Sequence, residues 1–282
     1  MTKLFVDSLT VIDFSYLHPE RGLLGESWQL GIELDGTLDS QGMVLDFGEV
    51  KRQVKQMVDE EFDHKLLVPL RHDEVEVCNN ESGCEVYYRC RTGCYVRHSG
   101  PSSASCLLDT DEVTPESVAK AIEERLQPRL PENVSQVKIK LHAEQRDGYF
   151  YHVSHGLKYH AGNCQRIAHG HRSYIEIFEN GKRSSTLEAA WAARWSDIYI
   201  GTQSDLLEER QLDNVAYYRF GYSSGQGKFE LELPKARCYL INNDSTVENL
   251  AQHIADRLKS ESPLSDFMVR AFEGTGKGAI AT

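Results

Sequence analysis

The chain has 282 residues, a length suited to two domains, and its 40% hydrophobic and 26% charged content is ordinary for a globular protein with a real core. A net charge of −12 at pH 7 and a pI near 5.4 argue against a general binder of nucleic acid or anionic membrane, while leaving room for an anionic small molecule held by a local basic cluster. No run approaches the roughly 18 apolar residues of a membrane span, and Met1 to Asp7 lacks a basic segment followed by an apolar one. With an odd seven cysteines, the expectation is a cytoplasmic protein whose thiols are reduced.

In chain order, Leu4 to Leu17 is rich in Phe, Val, Ile and Tyr and reads as a long strand. Trp28, Leu30, Ile32 and Leu34 alternate toward a turn at Asp35-Gly36, the pattern of a half-buried antiparallel strand. Phe47, Val50, Val54, Met57, Val58 and Phe62 recur at helical spacing. Glu74 to Val77 and Glu85 to Val96 read as a hairpin. Thr114 caps a helix with Pro115 at its first position and the stripe Val118, Ala119, Ile122 and Leu126 behind it. Val137, Ile139 and Leu141 form a further strand.

The same order then returns. Cys106-Leu107-Leu108, Thr114, Glu116, Ile122 and Arg125-Leu126 recur as Cys238-Tyr239-Leu240, Thr246, Glu248, Ile254 and Arg257-Leu258 at a constant offset of 132. A unit of about 140 residues is too long for a solenoid repeat and suits a duplicated domain. Gln145 to Gly148 is a turn, and Tyr149 to Ser154 resumes as a strand with no flexible linker, so the halves are expected to share one continuous sheet.

The densest chemistry lies between His152 and His171. His169-Gly170-His171 places two imidazoles at i and i+2, on the same face of a strand. A third ligand from a neighbouring strand, His155 with His152 and His160 as alternates, would complete a three-histidine site with its fourth position open, the arrangement of catalytic zinc.

These residues resemble the 6-pyruvoyltetrahydropterin and 6-carboxytetrahydropterin synthases. The resemblance rests on Val153-Ser154-His155, Cys164, His169-Gly170-His171 and the strand to Gly181 in the second half, with Thr246-Val247-Glu248-Asn249-Leu250-Ala251 and Phe272-Glu273 after them. In the first half it rests on Gly42-Met43-Val44-Leu45-Asp46-Phe47 and on Phe62-Asp63-His64. It implies an α+β chain of two tandem tunnelling-fold (T-fold) domains, residues 1–146 and 147–282, whose antiparallel sheets join into a barrel with helices outside. It further implies Zn2+ on His155, His169 and His171, Cys164 as general base, and Asp63 orienting His64 as a proton shuttle. Glu273 would hold the pterin, with Thr246 or Thr114 as a further contact beyond their capping roles. The implied substrate is 7,8-dihydroneopterin triphosphate. The implied product is 6-carboxytetrahydropterin, on the route to queuosine, or 6-pyruvoyltetrahydropterin, in a homotrimer or failing that a dimer. A non-catalytic pterin or purine binder and an aldolase or epimerase of the same fold are the rival expectations.

The two halves decay in complementary ways. Matching Gly36 with Gly181 puts Leu24-Gly25-Glu26 at His169-Gly170-His171 and His18 at His155, with no cysteine between, while the second half has Ser196-Asp197 where the first has Asp63-His64. One divided active site is therefore expected, with metal and Cys164 from the second half and Asp63-His64 from the first. Cys78, Cys84, Cys90 and Cys94 lack the Cys-x-x-Cys spacing of a structural zinc knuckle and read as thiols on a hairpin. Gly221 to Gly227 and Gly274 to Gly278 read as turns rather than phosphate cradles.

Overall fold

The computed structural model describes residues 2–80 and 83–282. The first half runs β1 (Thr2–His18), β2 (Gly22–Gly36), α1 (Phe47–Glu61), β3 (Leu66–Pro69), β4 (Val75–Asn80), β5 (Gly83–Arg89), β6 (Tyr95–Gly100), β7 (Ser105–Leu108), α2 (Pro115–Leu126) and β8 (Val134–Ala143). The second repeats this order as β9 (Tyr149–His155), β10 (His169–Glu179), the short β11 (Lys182–Arg183), α3 (Ser185–Arg194) and β12 (Ile198–Thr202). It continues through β13 (Leu206–Leu212), β14 (Val215–Ser224), β15 (Gly227–Pro234), β16 (Cys238–Ile241), α4 (Val247–Glu261), β17 (Phe267–Phe272) and β18 (Gly278–Ala281).

The helices begin where their caps dictate. Asp46 accepts from the backbone of Gly48 and Glu49, Thr114 from Ser117, and Thr246 from Asn249, each satisfying an otherwise orphaned amide at a helix N-terminus. The apolar stripes Val50, Val54, Met57 and Val58 of α1 and Val118, Ile122 and Leu126 of α2 are buried against Ile12, Phe14, Leu30 and Ile32 of β1 and β2. A second core joins Trp191 and Ile254 to Val153, Ile175 and Ile177.

Three sheets result. The first half forms β7-β3-β1-β2-β8, the second forms β16-β12-β9-β10-β17-β18 with β11 on β10, and the third, β13-β14-β15-β6-β5-β4, belongs to both. The T-fold arrangement of α and β elements is present, but the expected closed barrel of antiparallel strands is not. Each half carries a curled, open half-barrel whose terminal strands stay unpaired with one another. Closure fails because short parallel strands, β3 on β1 with β7 on β3, and β12 on β9 with β16 on β12, continue the ladder outward instead of returning it. The halves share a continuous sheet, as expected, but not across the junction: β8 and β9, adjacent in the chain, lie in different sheets. The halves instead join through β6 and β15, which pair antiparallel from Arg97 to Ser99. Where β1 and β2 meet β9 and β10, the crossing is lined by Ser15, Gly25, Ser154 and Gly170. The two serine hydroxyls lie 2.7 Å apart there.

Two hairpin expectations are refined. Glu85 to Val96 is two strands, because a tight turn at 90–94 brings Cys90 and Cys94 to a Cα separation of 5.3 Å and they form a disulfide. The expectation that all seven cysteines are thiols is thereby overturned; Cys78, Cys84, Cys106, Cys164 and Cys238 are free. The Gly221 to Gly227 stretch is a hairpin, as expected, but its turn is confined to Gly225-Gln226 because β14 runs to Ser224, and residues 273–277 form the turn between β17 and β18. No helix among the described residues is long and apolar enough to cross a membrane.

His98 of β6 sits between Val86 and Leu231 in the shared sheet, and both ring nitrogens are buried without a partner. Burial, with Arg97 nearby, lowers its pKa to about 4. The unfolded chain takes up this proton near pH 6.5 whereas the folded chain does so only near pH 4, so stability falls as pH drops through that window. A His98→Leu variant is expected to escape about 2–3 kcal/mol of the loss between pH 7 and 4.5, measured by urea unfolding at both values.

Candidate active site and metal centre

The site is built at the crossing of the two halves. Antiparallel pairing sets His155 opposite His169 and Val153 opposite His171, so three imidazoles collect at one end of β9 and β10. One potential ligand atom from each of His155, His169 and His171 lies within 4.8 Å of the other two, and all three residues are buried.

Their tautomers follow from what the other ring nitrogen meets. Nδ1 of His169 faces the Arg166 carbonyl oxygen at 2.9 Å, which can only accept, so it carries the proton. Nδ1 of His155 lies 2.9 Å from the Ser245 hydroxyl, which itself donates to the Gly156 carbonyl and so accepts from the ring. Nδ1 of His171 lies 3.2 Å from the Asp13 carboxylate, an ion-pair distance but off hydrogen-bond geometry. His155 and His169 therefore turn an Nε2 lone pair away from these partners, the state a metal ligand needs. Burial, reinforced by the neighbouring imidazoles, holds His155 and His169 well below the usual histidine range and thus neutral. The Nε2 atoms of His169 and His171 are buried with no hydrogen-bond partner. An orphaned buried nitrogen costs about 1–3 kcal/mol, and a bound cation would remove that cost at both.

A second cluster adjoins the first: His64, Cys164 and His169 also bring one ligand atom each within 4.8 Å. His64 and Asp63 come from the segment after α1, about a hundred residues upstream of Cys164, and the structure delivers all three to the same place. Asp63 binds Nδ1 of His64 through one carboxylate oxygen and accepts the Asp13 amide at 2.9 Å through the other. Burial opposes charge on His64, but Asp63 and Cys164 outweigh it and raise its pKa to about 10. His64 has φ of 54°, a left-handed conformation that strains a residue with a side chain. The strain is held from both halves: its amide donates to the Asp13 carbonyl at 2.6 Å, and Arg166 donates to the carbonyls of Asp63 and His64 at 3.2 and 3.3 Å.

Glu273 opens the β17–β18 turn, where Lys277 lies 3.9 Å from its carboxylate and 3.4 Å from that of Asp13, placing Glu273 one side chain away from the His171 contact. Thr246 caps α4 beside Ser245, the partner of His155. Thr114 is occupied by a capping box with Ser117 at the start of α2.

The equivalent place in the first half is filled by other chemistry. Pairing sets Ser15 opposite Gly25 and Tyr16 opposite Leu24, as Ser154 opposes Gly170 and His155 opposes His169. The counterpart of His155 is therefore Tyr16, not His18 as the spacing suggested, and Tyr16, Leu24 and Glu26 replace the three histidines. His18 instead accepts the amides of Glu20 and Arg21 in the β1–β2 turn. Asp197, with φ of 59°, stands where His64 does, and Arg21 forms a two-pronged ion pair with it. Burial raises Glu26 to about 7 and lowers the adjacent His152 to about 4, so neither is strongly charged near neutrality.

Sequence reasoning missed Asp13, Ser245 and Arg166. Asp13 carried a signal, being an acid between the apolar residues Ile12 and Phe14 of a strand; Ser245 and Arg166 carried none.

The model of the 6-pyruvoyl tetrahydropterin synthase family matches the chain twice, over residues 11–153 and 148–282. A Pyrococcus abyssi protein provisionally named 6-carboxy-5,6,7,8-tetrahydropterin synthase is 25% identical over 150 residues, covering 51% of this chain and 83% of its own. The 6-carboxy-5,6,7,8-tetrahydropterin synthase of Rickettsia felis is 37% identical over 76 residues, covering 26% of this chain and 50% of its own. Among solved structures, a Plasmodium vivax 6-pyruvoyltetrahydropterin synthase matches at 18% identity and a TM-score of 0.39, over 50% of this chain and 97% of that one. Two successive family matches spanning nearly all of a chain with two copies of the same element order lead to one assignment: the chain belongs to the 6-pyruvoyl tetrahydropterin synthase family, as a tandem pair of its domains.

Proposed function

We propose that the chain is a zinc-dependent tetrahydropterin synthase acting on 7,8-dihydroneopterin triphosphate, with one active site divided between residues 1–146 and 147–282. The observation that carries this reading is the convergence of three imidazoles, two with orphaned Nε2 atoms, beside Cys164 and His64. His155, His169 and His171 would hold Zn2+, whose Lewis acidity would polarise the substrate's side-chain hydroxyls. Cys164 removes a proton as general base. His64, held in orientation by Asp63, transfers a proton from the other side. Glu273 receives the pterin's amino and ring N–H groups through its carboxylate, and Thr246 is the threonine assigned to the substrate because its neighbour Ser245 touches His155. The names of the relatives favour the 6-carboxy product over the 6-pyruvoyl one. The edge strands β8 and β18, each paired on one side only among the described residues, support association of several copies, with a homotrimer as the assembly proposed.

The test is to incubate zinc-loaded protein with 7,8-dihydroneopterin triphosphate and identify the pterin by mass. The 6-carboxy compound is the expected product. A 6-pyruvoyl product would change the assignment within the family, an aldol cleavage product would move it outside the synthase reaction, and unchanged substrate that stays bound would reduce the chain to a binding protein.

A further inference from the structure

Asp13 lies in β1 of the first half, yet three of its groups point at the site whose metal ligands belong to the second. Its amide donates to Asp63 and its carbonyl accepts from the His64 amide, at 2.9 and 2.6 Å. Its carboxylate lies 3.2 Å from Nδ1 of His171 through Oδ1. That side chain is almost wholly buried, and its other contacts hold it still: the Ser27 hydroxyl donates to Oδ1 at 2.5 Å, and Lys277 stands 3.4 Å from Oδ2. A buried carboxylate fixed on two sides, with an imidazole nitrogen on the third, is the arrangement that orients a metal-bound histidine and raises its basicity.

The other half of the molecule repeats the contact with the partners exchanged. Strand pairing makes His152 the counterpart of Asp13 and Glu26 the counterpart of His171. There, Nδ1 of His152 lies 3.7 Å from the Glu26 carboxylate. The reach of this strand position across to the other half's third ligand position is thus a property of the crossing itself, independent of which residue types occupy it.

We infer that Asp13 is a positioning residue for the metal centre: the first half sets the orientation of His171, and thereby the metal affinity of the second half, while its backbone aligns the Asp63–His64 pair. The inference rests on the reading of His155, His169 and His171 as metal ligands. It makes the two halves interdependent in metal binding as well as in proton transfer.

The test uses the full chain and needs no turnover. Zinc affinity is measured by competition with a chromophoric chelator for the unaltered chain, Asp13→Ala and Asp13→Asn, and each protein is also loaded with Co2+ for its visible absorption spectrum. Asp13→Ala is expected to weaken zinc about 10–100-fold and to shift the cobalt bands. Asp13→Asn, which keeps an acceptor oxygen without the charge, is expected to fall between it and the unaltered chain. Thermal unfolding of the metal-free proteins separates a folding defect from a coordination defect, and Asp13→Asn supplies the comparison if Asp13→Ala does not fold. Zinc affinity within threefold of the unaltered chain in the folded variants, with an unchanged cobalt spectrum, overturns the inference. Failure of the unaltered chain to bind zinc overturns the underlying metal reading instead, so the two failures are distinguishable.

Discussion

Replacing His64 by Ala is expected to lower turnover of 7,8-dihydroneopterin triphosphate by about 10²–10⁴-fold, with zinc content unchanged. His64 is held by Asp63 through one ring nitrogen and shares a cluster with Cys164 and His169, so its removal takes out a proton-transfer group without removing any of the three proposed ligands. Cys164→Ala is expected to cause a loss of similar size, and the double variant to be no worse than about threefold below the poorer single one. Groups that act as a unit in one proton relay are strongly non-additive. Initial rates of the four proteins, zinc-loaded and at one pH, decide the matter. Multiplicative losses in the double variant would mean that the two residues serve separate steps, and full activity in either single variant would remove that residue from the machinery.

The second large effect is on folding. A Cβ built on Gly25 would lie 1.8 Å from the Val153 carbonyl oxygen and 2.5 Å from the His171 amide nitrogen, both backbone atoms that cannot swing aside. On Gly170 it would lie 2.4 Å from the same oxygen and 2.6 Å from the Gly25 Cα. Gly25→Ala therefore forces apart the crossing that brings Asp13 to His171 and Asp63–His64 to Cys164. It is expected to cost about 3 kcal/mol or more and to impair metal binding with it. Gly31, in the same strand, is the internal control: an added Cβ would approach nothing closer than 3.4 Å, and Gly31→Ala is expected to stay within about 1 kcal/mol of the parent. Equal stability of the two variants in urea unfolding would show that the crossing can relax, and the close approach of the halves would then not be needed for the fold.

These predictions also separate what was readable in the residues from what was not. The clustering of the three histidines was legible because i, i+2 spacing on a strand determines a common face for His169 and His171, and pairing of β9 with β10 brings His155 to His169 across the ladder. Asp63–His64 was legible as a motif, and the complementary losses in the two halves pointed to its meeting the second half, where His64 lies beside Cys164 and His169. The third ligand's counterpart was misread, because one-residue alignment by spacing cannot see that the β1–β2 turn is shorter than the loop carrying Cys164; only strand register shows that Tyr16 stands in the place of His155. The closed barrel was likewise an expectation that local pattern cannot test. Whether a sheet closes depends on which strands its edges meet, and here parallel additions at β3 and β12 leave it open.

The sequence by itself determined the duplication, the helix starts at Asp46, Thr114 and Thr246, and which histidines and cysteine gather at the crossing. These depend on interactions within a few residues, where caps, turns and alternation are encoded. Tertiary structure decided that Cys90 pairs with Cys94 and that the halves share a sheet through β6 and β15. It also decided that Asp13, Ser245 and Arg166 complete the site around the histidines. Those outcomes follow from which surfaces can approach, and the small residues Ser15, Gly25, Ser154 and Gly170 permit the one approach that unites the two halves.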